Sequence, residues 1–172
     1  MQYKGIELEG LDKDVKLANS RFIETDEGTD WIVKLLSADK QTLTHIQFYE
    51  VSALNSVMNM DYQICNGGLS QYFCNGYDRY RKPYHEQDVA QLDKDAQCDM
   101  LVELGALARE VFSDRVVDRQ ELLLMQEDLR EAEEDDEEEY DDFDELYFGL
   151  SDFVALLCET YAQYLCKAYG IA

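Results

Sequence analysis

Apolar side chains recur at intervals of three and four residues in three long segments of the chain. These intervals place side chains on one face of an α-helix, so three amphipathic helices are predicted. The first runs from about residue 42 to 66, the second from about 86 to 112, and the third through the C-terminal segment. The three stripes are Leu43, Ile46, Tyr49, Ala53, Val57, Met60 and Ile64; Val89, Leu92, Ala96, Met100, Leu104, Leu107 and Val111; and Leu150, Phe153, Val154, Leu157, Cys158, Tyr161, Leu165 and Ala168.

Several residues indicate where these helices begin and end. Asn66-Gly67-Gly68 predicts the end of the first helix, because glycine adopts the left-handed conformation of a helix cap without strain. Ser151-Asp152 supplies side-chain acceptors near the predicted start of the third helix. Helical spacing already resumes at Tyr140, and the acidic residues before it favour a helix N-terminus there.

The rest of the pattern agrees with an all-α fold. Residues 4–9 have the character of a short extended segment, and residues 15–23 and 31–36 that of short helices. A single proline, Pro83, and nine glycines interrupt the chain, which permits long helices and disfavours an all-β design. We therefore expect residues 1–172 to form one mainly helical, single-domain bundle, with one short extended segment near the N-terminus.

Composition supports one folded core and an intracellular setting. The 172 residues are 46% hydrophobic and 12% aromatic, enough to bury one sizeable core. The first residues contain no apolar run of signal-peptide length, and no segment has the length and apolarity of a membrane span, so a cytoplasmic location is expected. The five cysteines form no CxxC pair, and several fall on apolar helical positions, which indicates reduced and buried thiols.

The charge is far from balanced. Thirty-eight acidic and 15 basic side chains give a formal net charge of -23. Such a field repels nucleic acid and anionic membranes, and it attracts Lys/Arg-rich proteins over roughly a Debye length of about 8 Å. We therefore expect a basic protein partner, and no direct contact with nucleic acid or membrane.

The carboxylates are concentrated in an acidic tract, residues 127–145. It contains 14 acidic side chains and one basic one, Arg130. As one continuous helix it would bring about 18 like-charge pairs together, at a cost on the order of 5 kcal/mol. As a helix the tract would carry about one charge per 2 Å of axis. Duplex DNA carries a similar density, one charge per about 1.7 Å of axis. The predicted partner-binding residues are Asp128, Glu131, Glu133, Glu134, Asp135, Asp136, Glu137, Glu138, Glu139, Asp141, Asp142, Asp144 and Glu145.

The centre of the tract, residues 133–139, consists of seven consecutive acids. Two conformations remain open for it: a solvated, mobile segment, or a helix supported by a neighbouring scaffold. Like-charge runs are commonly solvating segments, so charge alone does not decide between a binding surface and a solubility device.

A glycine-containing motif lies between two helical segments. Gly67 and Gly68 allow a left-handed turn and close helix approach. The aromatic side chains of Tyr72 and Phe73 are predicted to fill the core, and the amides of the motif to satisfy backbone groups at helix ends. These amides are Asn66, Gln71 and Asn75. The alternative is a small-molecule pocket lined by Asn66, Gln71, Tyr72 and Asn75.

This motif carries a resemblance to a known family. Residues 66–76, NGGLSQYFCNG, are similar to the NGG-F-x-Q-[YF]-[YF]-x-N signature of small bacterial proteins grouped with the acidic DNA-mimic protein. The resemblance implies a mainly helical fold and a homodimer. It also implies a surface that occupies the DNA-binding face of a helix-turn-helix transcriptional regulator.

No catalytic, metal or cofactor motif accompanies these features. His45 and His85 are isolated, without a second ligand at zinc spacing, and the chain has no GxSxG, GxxxxGK[ST] or GxGxxG motif. The tract also lacks the central glycine of a calcium loop. The basic, aromatic residues 77–82 suit either nucleic-acid stacking or internal pairing with carboxylates, and the overall charge favours the second.

Three functional hypotheses follow. The first is an acidic, non-enzymatic DNA mimic that sequesters a basic DNA-binding protein, most readily a transcriptional regulator. The second is an immunity-type inhibitor of a basic toxin or nuclease. The third is an enzyme or small-ligand domain built around Asn66-Gly67-Gly68, in which the acidic tract only confers solubility.

Overall fold

The computed structural model describes residues 1–10, 31–38, 41–75, 94–132 and 140–171. Its elements are a short hairpin and five helices. The hairpin pairs β1 (Gln2–Tyr3) with β2 (Ile6–Glu7), and the helices are α1 (Trp31–Ser37), α2 (His45–Cys74), α3 (Lys94–Val111), α4 (Val116–Glu131) and α5 (Tyr140–Tyr169). The expectation of an all-α fold is confirmed.

The N-terminal extended segment is a two-stranded antiparallel hairpin with Tyr3 opposite Ile6. Its turn residues, Lys4 and Gly5, both have positive φ, 44° and 80°. Positive φ at both central residues matches the twist of tight hairpin turns. Tyr3 lies in the core, edge-on to Tyr164, so the hairpin is anchored to the helical body.

Helix α5 is the centre of the bundle and packs against each of the other four helices. Its apolar residues follow the spacing predicted for the third stripe, and Phe153, Val154 and Leu157 are completely or almost completely buried. It begins at Tyr140, where helical spacing resumes, and not near Ser151-Asp152. The predicted cap at Ser151-Asp152 is therefore wrong; Ser151 lies mid-helix and its hydroxyl donates to the Phe148 carbonyl at 3.3 Å.

Helix α2 begins with a capping box between Thr44 and Gln47, and it bends at the predicted Asn-Gly-Gly break. The backbone leaves helical geometry at Gly67 and at Gly68, whose φ is +72°, and a short aromatic segment then continues to Cys74. The first stripe is correct from Ala53 onwards. At its beginning Leu43 packs against the core, but Ile46 is 73% exposed and Tyr49 is 41% exposed, whereas the neighbouring Phe48 is partly buried.

Two further differences concern an additional helix and the end of the third stripe. Helix α4 has no counterpart among the predicted elements. Ala168 is exposed, although the third stripe placed it toward the core. In the second stripe Ala96, Met100, Leu104 and Leu107 are buried, as predicted. The predicted helix over residues 15–23, the start of the second helix with Val89 and Leu92, and the basic residues 77–82 lie outside the described residues.

An acidic helix pair as candidate interaction surface

The described part of the acidic tract is divided between two packed helices. Helix α4 buries Leu122, Met125 and Leu129, and α5 packs beside it with Phe143 and Tyr147 buried. These apolar residues recur at three- and four-residue spacing, so the acidic residues between them are directed to the opposite faces. We call α4 and residues 140–152 of α5 the acidic helix pair.

Five of the predicted partner-binding residues are exposed on this pair: Asp128, Glu131, Asp141, Asp142 and Glu145. They come from both helices of the packed pair, Asp128 and Glu131 from α4 and Asp141, Asp142 and Glu145 from α5. The predicted residues Glu133, Glu134, Asp135, Asp136, Glu137, Glu138 and Glu139 lie outside the described residues.

The arginines of α4 do not neutralise this surface. Arg130 Nη2 lies 3.6 Å from Asp99 Oδ1 on α3, and Arg119 Nη1 donates to the Arg109 carbonyl at 3.4 Å. Both therefore reach toward α3. Within the described ranges, none of the five exposed carboxylates forms an ion pair, and residues 140–152 contain no cation at all.

A groove of about 420 Å³ runs between the two helices. Its lining residues are Glu121 from α4 and Asp142, Glu145, Leu146 and Gly149 from α5. Three carboxylates thus surround a partly apolar floor. Glu121 and Gly149 were not among the predicted site residues, because Glu121 precedes the tract and the groove depends on how α4 packs against α5.

Asp144, one of the predicted partner-binding residues, lies at the contact between α5 and α2. Its Oδ1 accepts the backbone N–H of Leu69 at 2.7 Å, at the point where α2 resumes after its bend. Burial raises the pKa of this carboxyl, and the nearby charge of Asp141 acts in the same direction, whereas the Leu69 hydrogen bond lowers it. Asp144 therefore holds α5 against α2, and its predicted contact with a partner stays a prediction.

The Asn-Gly-Gly motif packs against this carboxylate. A Cβ added at Gly68 would lie 2.0 Å from Asp144 Oδ2, and one added at Gly67 would lie 2.4 Å from the flexible end of Gln71. The absence of a side chain at Gly68 thus lets Asp144 reach Leu69. The motif and the acidic tract, separate in the sequence, are parts of one contact.

The remaining motif residues are arranged mostly for structure. Gln71 and Asn75 both donate through their amides to Gln63 Oε1, at 2.9 and 2.6 Å, across the bend of α2. Asn66 donates its side-chain amide to the Tyr62 carbonyl at 2.6 Å. This amide therefore satisfies a backbone group, as predicted, whereas those of Gln71 and Asn75 bond a side chain. The sequence did not predict this role of Gln63, because only the bend of α2 brings it near Gln71 and Asn75.

The aromatic residues of the motif are buried, as predicted. Tyr72 is completely buried and its hydroxyl donates to Gln97 Oε1, while Phe73 stacks on Tyr140 at the start of α5. Gln71 and Asn75 face Gln63 instead. Within the described residues, the side chains of the proposed small-molecule pocket thus make contacts inside the protein, and the small-ligand alternative stays a prediction.

Other candidate chemistry is limited in the part of the chain that the structure describes. There, no group of three or more His, Cys, Asp or Glu side chains is placed to hold a metal ion. His45 is the exposed first residue of α2. None of the described helices combines the length and apolar character needed to cross a bilayer.

None of the five cysteines, all of which lie in described segments, forms a disulfide. Cys98, Cys158 and Cys166 are buried, as expected, and burial raises the pKa of the Cys166 thiol to about 11. Cys65 and Cys74, by contrast, are exposed. The Cys166 thiol therefore stays protonated at neutral pH and acts as a small core residue.

Fold and surface together define an all-α acidic protein with a carboxylate-rich helix pair. The family model that matches residues 49–167 is described as DMP19-like protein, and the chain belongs to that family. This finding overturns the assignment to the acidic DNA-mimic family that the Asn-Gly-Gly motif suggested. Comparison with curated proteins gave no match, and comparison with solved structures gave none either.

Proposed function

We propose that this protein is an acidic DNA mimic that binds the DNA-binding face of a basic protein and blocks it from DNA. A transcriptional regulator is the partner we favour. The observation that carries the proposal is the acidic helix pair, where the five exposed carboxylates of the predicted set form no ion pair with any described residue.

The placement of these carboxylates on helices matters for this role. Asp128 and Glu131 are three residues apart, as are Asp142 and Glu145, so each pair is separated by about 4.5 Å along its helix axis. A basic surface that contacts phosphates meets charges at a comparable spacing along a duplex strand, about 3.4 Å per nucleotide. Because buried apolar residues hold the helices, little ordering is required when a partner binds.

The proposal involves no catalytic step. It includes a cytoplasmic location, where bacterial regulators meet DNA, and assembly as a homodimer, which would double the number of carboxylates on display. A dimer is tested directly by sedimentation of the purified protein.

The decisive experiment is competition with DNA. DNA-binding proteins retained by the immobilised protein at low salt are purified, and their DNA binding is measured by mobility shift with increasing amounts of this protein. We expect at least one to be released from its DNA, with an affinity for this protein that falls steeply as salt rises, because the carboxylates replace phosphate contacts. If no retained protein is displaced from DNA, the proposal is wrong.

Matched charge variants sharpen this experiment. Asp128→Asn with Asp141→Asn should weaken competition at least tenfold. Glu7→Gln with Glu110→Gln removes the same charge from exposed positions elsewhere and should change it much less. If the two double variants weaken competition equally, binding depends on the net charge of the protein and not on the acidic helix pair.

Two outcomes separate the alternatives. Replacement of residues 133–139 by glutamine should abolish binding if the acids contact a partner, and should leave function intact if they only confer solubility. A retained partner whose nuclease or toxin activity is blocked while it stays bound to DNA would indicate the immunity-type inhibitor instead.

A further inference from the structure

Helix α4 exposes apolar side chains on the same side as its acids. Val117 is 63% exposed and Leu124 is 53% exposed. They alternate with Glu121 and Asp128 at steps of four, three and four residues, so the four side chains form one stripe along the helix. Electrostatic attraction alone gives no reason for two large apolar residues at this place.

The stripe borders the groove between α4 and α5. Glu121 belongs to both, and the far side of the groove carries Asp142 and Glu145. A Cβ added to Gly149, an exposed lining residue, would meet no described atom within 4 Å. The groove is therefore open to a side chain from outside the molecule.

The charge of this site is uncompensated. Among the described residues, Glu121, Asp142 and Glu145 have no ion-pair partner, while the two arginines of α4 are directed toward α3. Three unpaired carboxylates close together attract cations and disfavour an anionic or purely apolar ligand. The exposed apolar stripe, in turn, disfavours a simple inorganic cation as the intended occupant.

We propose that the groove and the Val117–Leu124 stripe together bind one amphipathic α-helix, rich in Lys and Arg, of the partner protein. This inference rests on the proposed function and specifies how the partner is held. Lys or Arg side chains of the partner enter the groove, with their aliphatic stems against Leu146 and Gly149, and its apolar residues cover Leu124.

The dimensions suit a helix. From Val117 to Asp128 the stripe spans about 16 Å, or three helical turns. Two helices packed side by side leave a groove in which the side chains of a third can lie. A basic helix that normally enters the major groove of DNA has the charge and length for this site.

A synthetic helical peptide tests the inference without a known partner. The probe is a fluorescein-labelled 18-residue peptide of Lys, Leu and Ala with its leucines on one helical face, and the control is a scrambled peptide of the same composition. We expect the amphipathic peptide to bind the full-length protein at least tenfold more tightly than the scrambled one at 0.15 M salt. Part of this preference should persist at higher salt, because apolar burial is not screened.

Variants locate the site. Leu124→Ser should remove most of the preference for the amphipathic peptide while leaving scrambled-peptide binding unchanged, and Gly149→Gln should weaken the amphipathic peptide by filling the groove. Val102→Ser is the matched control, because Val102 is 40% exposed on α3. Glu121→Gln removes one carboxylate of the groove and should also weaken the amphipathic peptide, with Glu110→Gln on the exposed surface of α3 as its control.

The outcomes distinguish this inference from the proposed function. Equal binding of both peptides, or equal effects of Leu124→Ser and Val102→Ser, would overturn the groove inference and leave DNA competition as a separate question. A change of oligomeric state in Leu124→Ser would assign the stripe to a second copy of this chain and also overturn it. If this protein does not displace any partner from DNA, but Leu124→Ser selectively weakens binding of the amphipathic peptide, the helix-binding site is retained and the DNA-mimic function is rejected.

Discussion

At the scale of single residues, the contact between Asp144 and Leu69 connects two parts of the chain that are 75 residues apart. Gly68 adopts φ +72°, a conformation that strains residues with a Cβ, and its missing side chain leaves room for the carboxylate. The conformation and the space both require glycine. Gly149, by contrast, lies inside α5 and faces open space.

These two glycines give a matched pair of substitutions. Gly68→Ala should destabilise the protein by about 1–3 kcal/mol, because it adds left-handed strain and a clash with Asp144. Gly149→Ala should instead stabilise it by up to about 1 kcal/mol, because alanine favours a helix interior. Urea unfolding followed by circular dichroism measures both. Equal effects in the two variants would mean that Gly68 is not constrained by Asp144.

The sequence predicted only part of this contact. The residue types in Asn66-Gly67-Gly68 indicate a break in the helix from local conformational preference, and the break is present. Nothing local indicates that Asp144 would occupy the space beside Gly68, because that proximity arises from the packing of α5 on α2. For the same reason Asp144 could not be distinguished in sequence from the exposed Asp142.

At the scale of elements, α1 shows how a short helix is held by its neighbours. It has seven residues, too few to be stable alone. Glu159, buried in α5, accepts the backbone N–H of Trp31 at 2.6 Å and of Ile32 at 3.4 Å. The carboxylate thus caps the N-terminus of α1 from another helix, where negative charge also favours the helix dipole.

Glu159→Ala should release α1 selectively. Loss of a charged acceptor for two amide groups costs about 1–3 kcal/mol, which corresponds to roughly 10- to 100-fold faster hydrogen exchange in residues 31–37. Exchange in α2 and in the middle of α5 should change much less. Glu159→Gln, which keeps one acceptor oxygen, serves as the control. Equal acceleration throughout all five helices would show that α1 does not open independently.

Helices with a long buried apolar face were predicted more accurately than helices without one. Helix α5 has a long apolar stripe, and its burial agreed with the sequence pattern except at Ala168. Helix α4 was missed because Leu122, Leu123, Leu124 and Met125 form a continuous apolar run without an obvious face. Only packing shows that Leu122 and Met125 are buried whereas Leu123 and Leu124 are exposed. Ile46 and Tyr49 continue the first stripe, but helical periodicity does not reveal whether a neighbour covers it.

At the scale of the whole molecule, the net charge of -23 opposes the compact state. The ion pairs among described residues are mostly on the surface, such as Lys4–Glu103 at 3.0 Å and Lys167–Glu9 at 3.1 Å, and pairs of this kind contribute little. Stability therefore comes from the core around α5. The uncompensated carboxylates reduce that stability and are available to bind a partner.

Salt should consequently stabilise this protein. Raising the ionic strength from 0.01 to 0.15 M shortens the Debye length from about 30 to about 8 Å, which screens repulsion between separated carboxylates. A gain of about 1 kcal/mol would raise the unfolding midpoint by about 2–4 °C, measurable by calorimetry in sodium chloride. Replacing residues 133–139 by glutamine removes seven negative charges, so that variant should unfold at a higher temperature in low salt and respond less to added salt. A midpoint that stays constant or falls with salt would mean that repulsion between the carboxylates does not limit the stability of the fold.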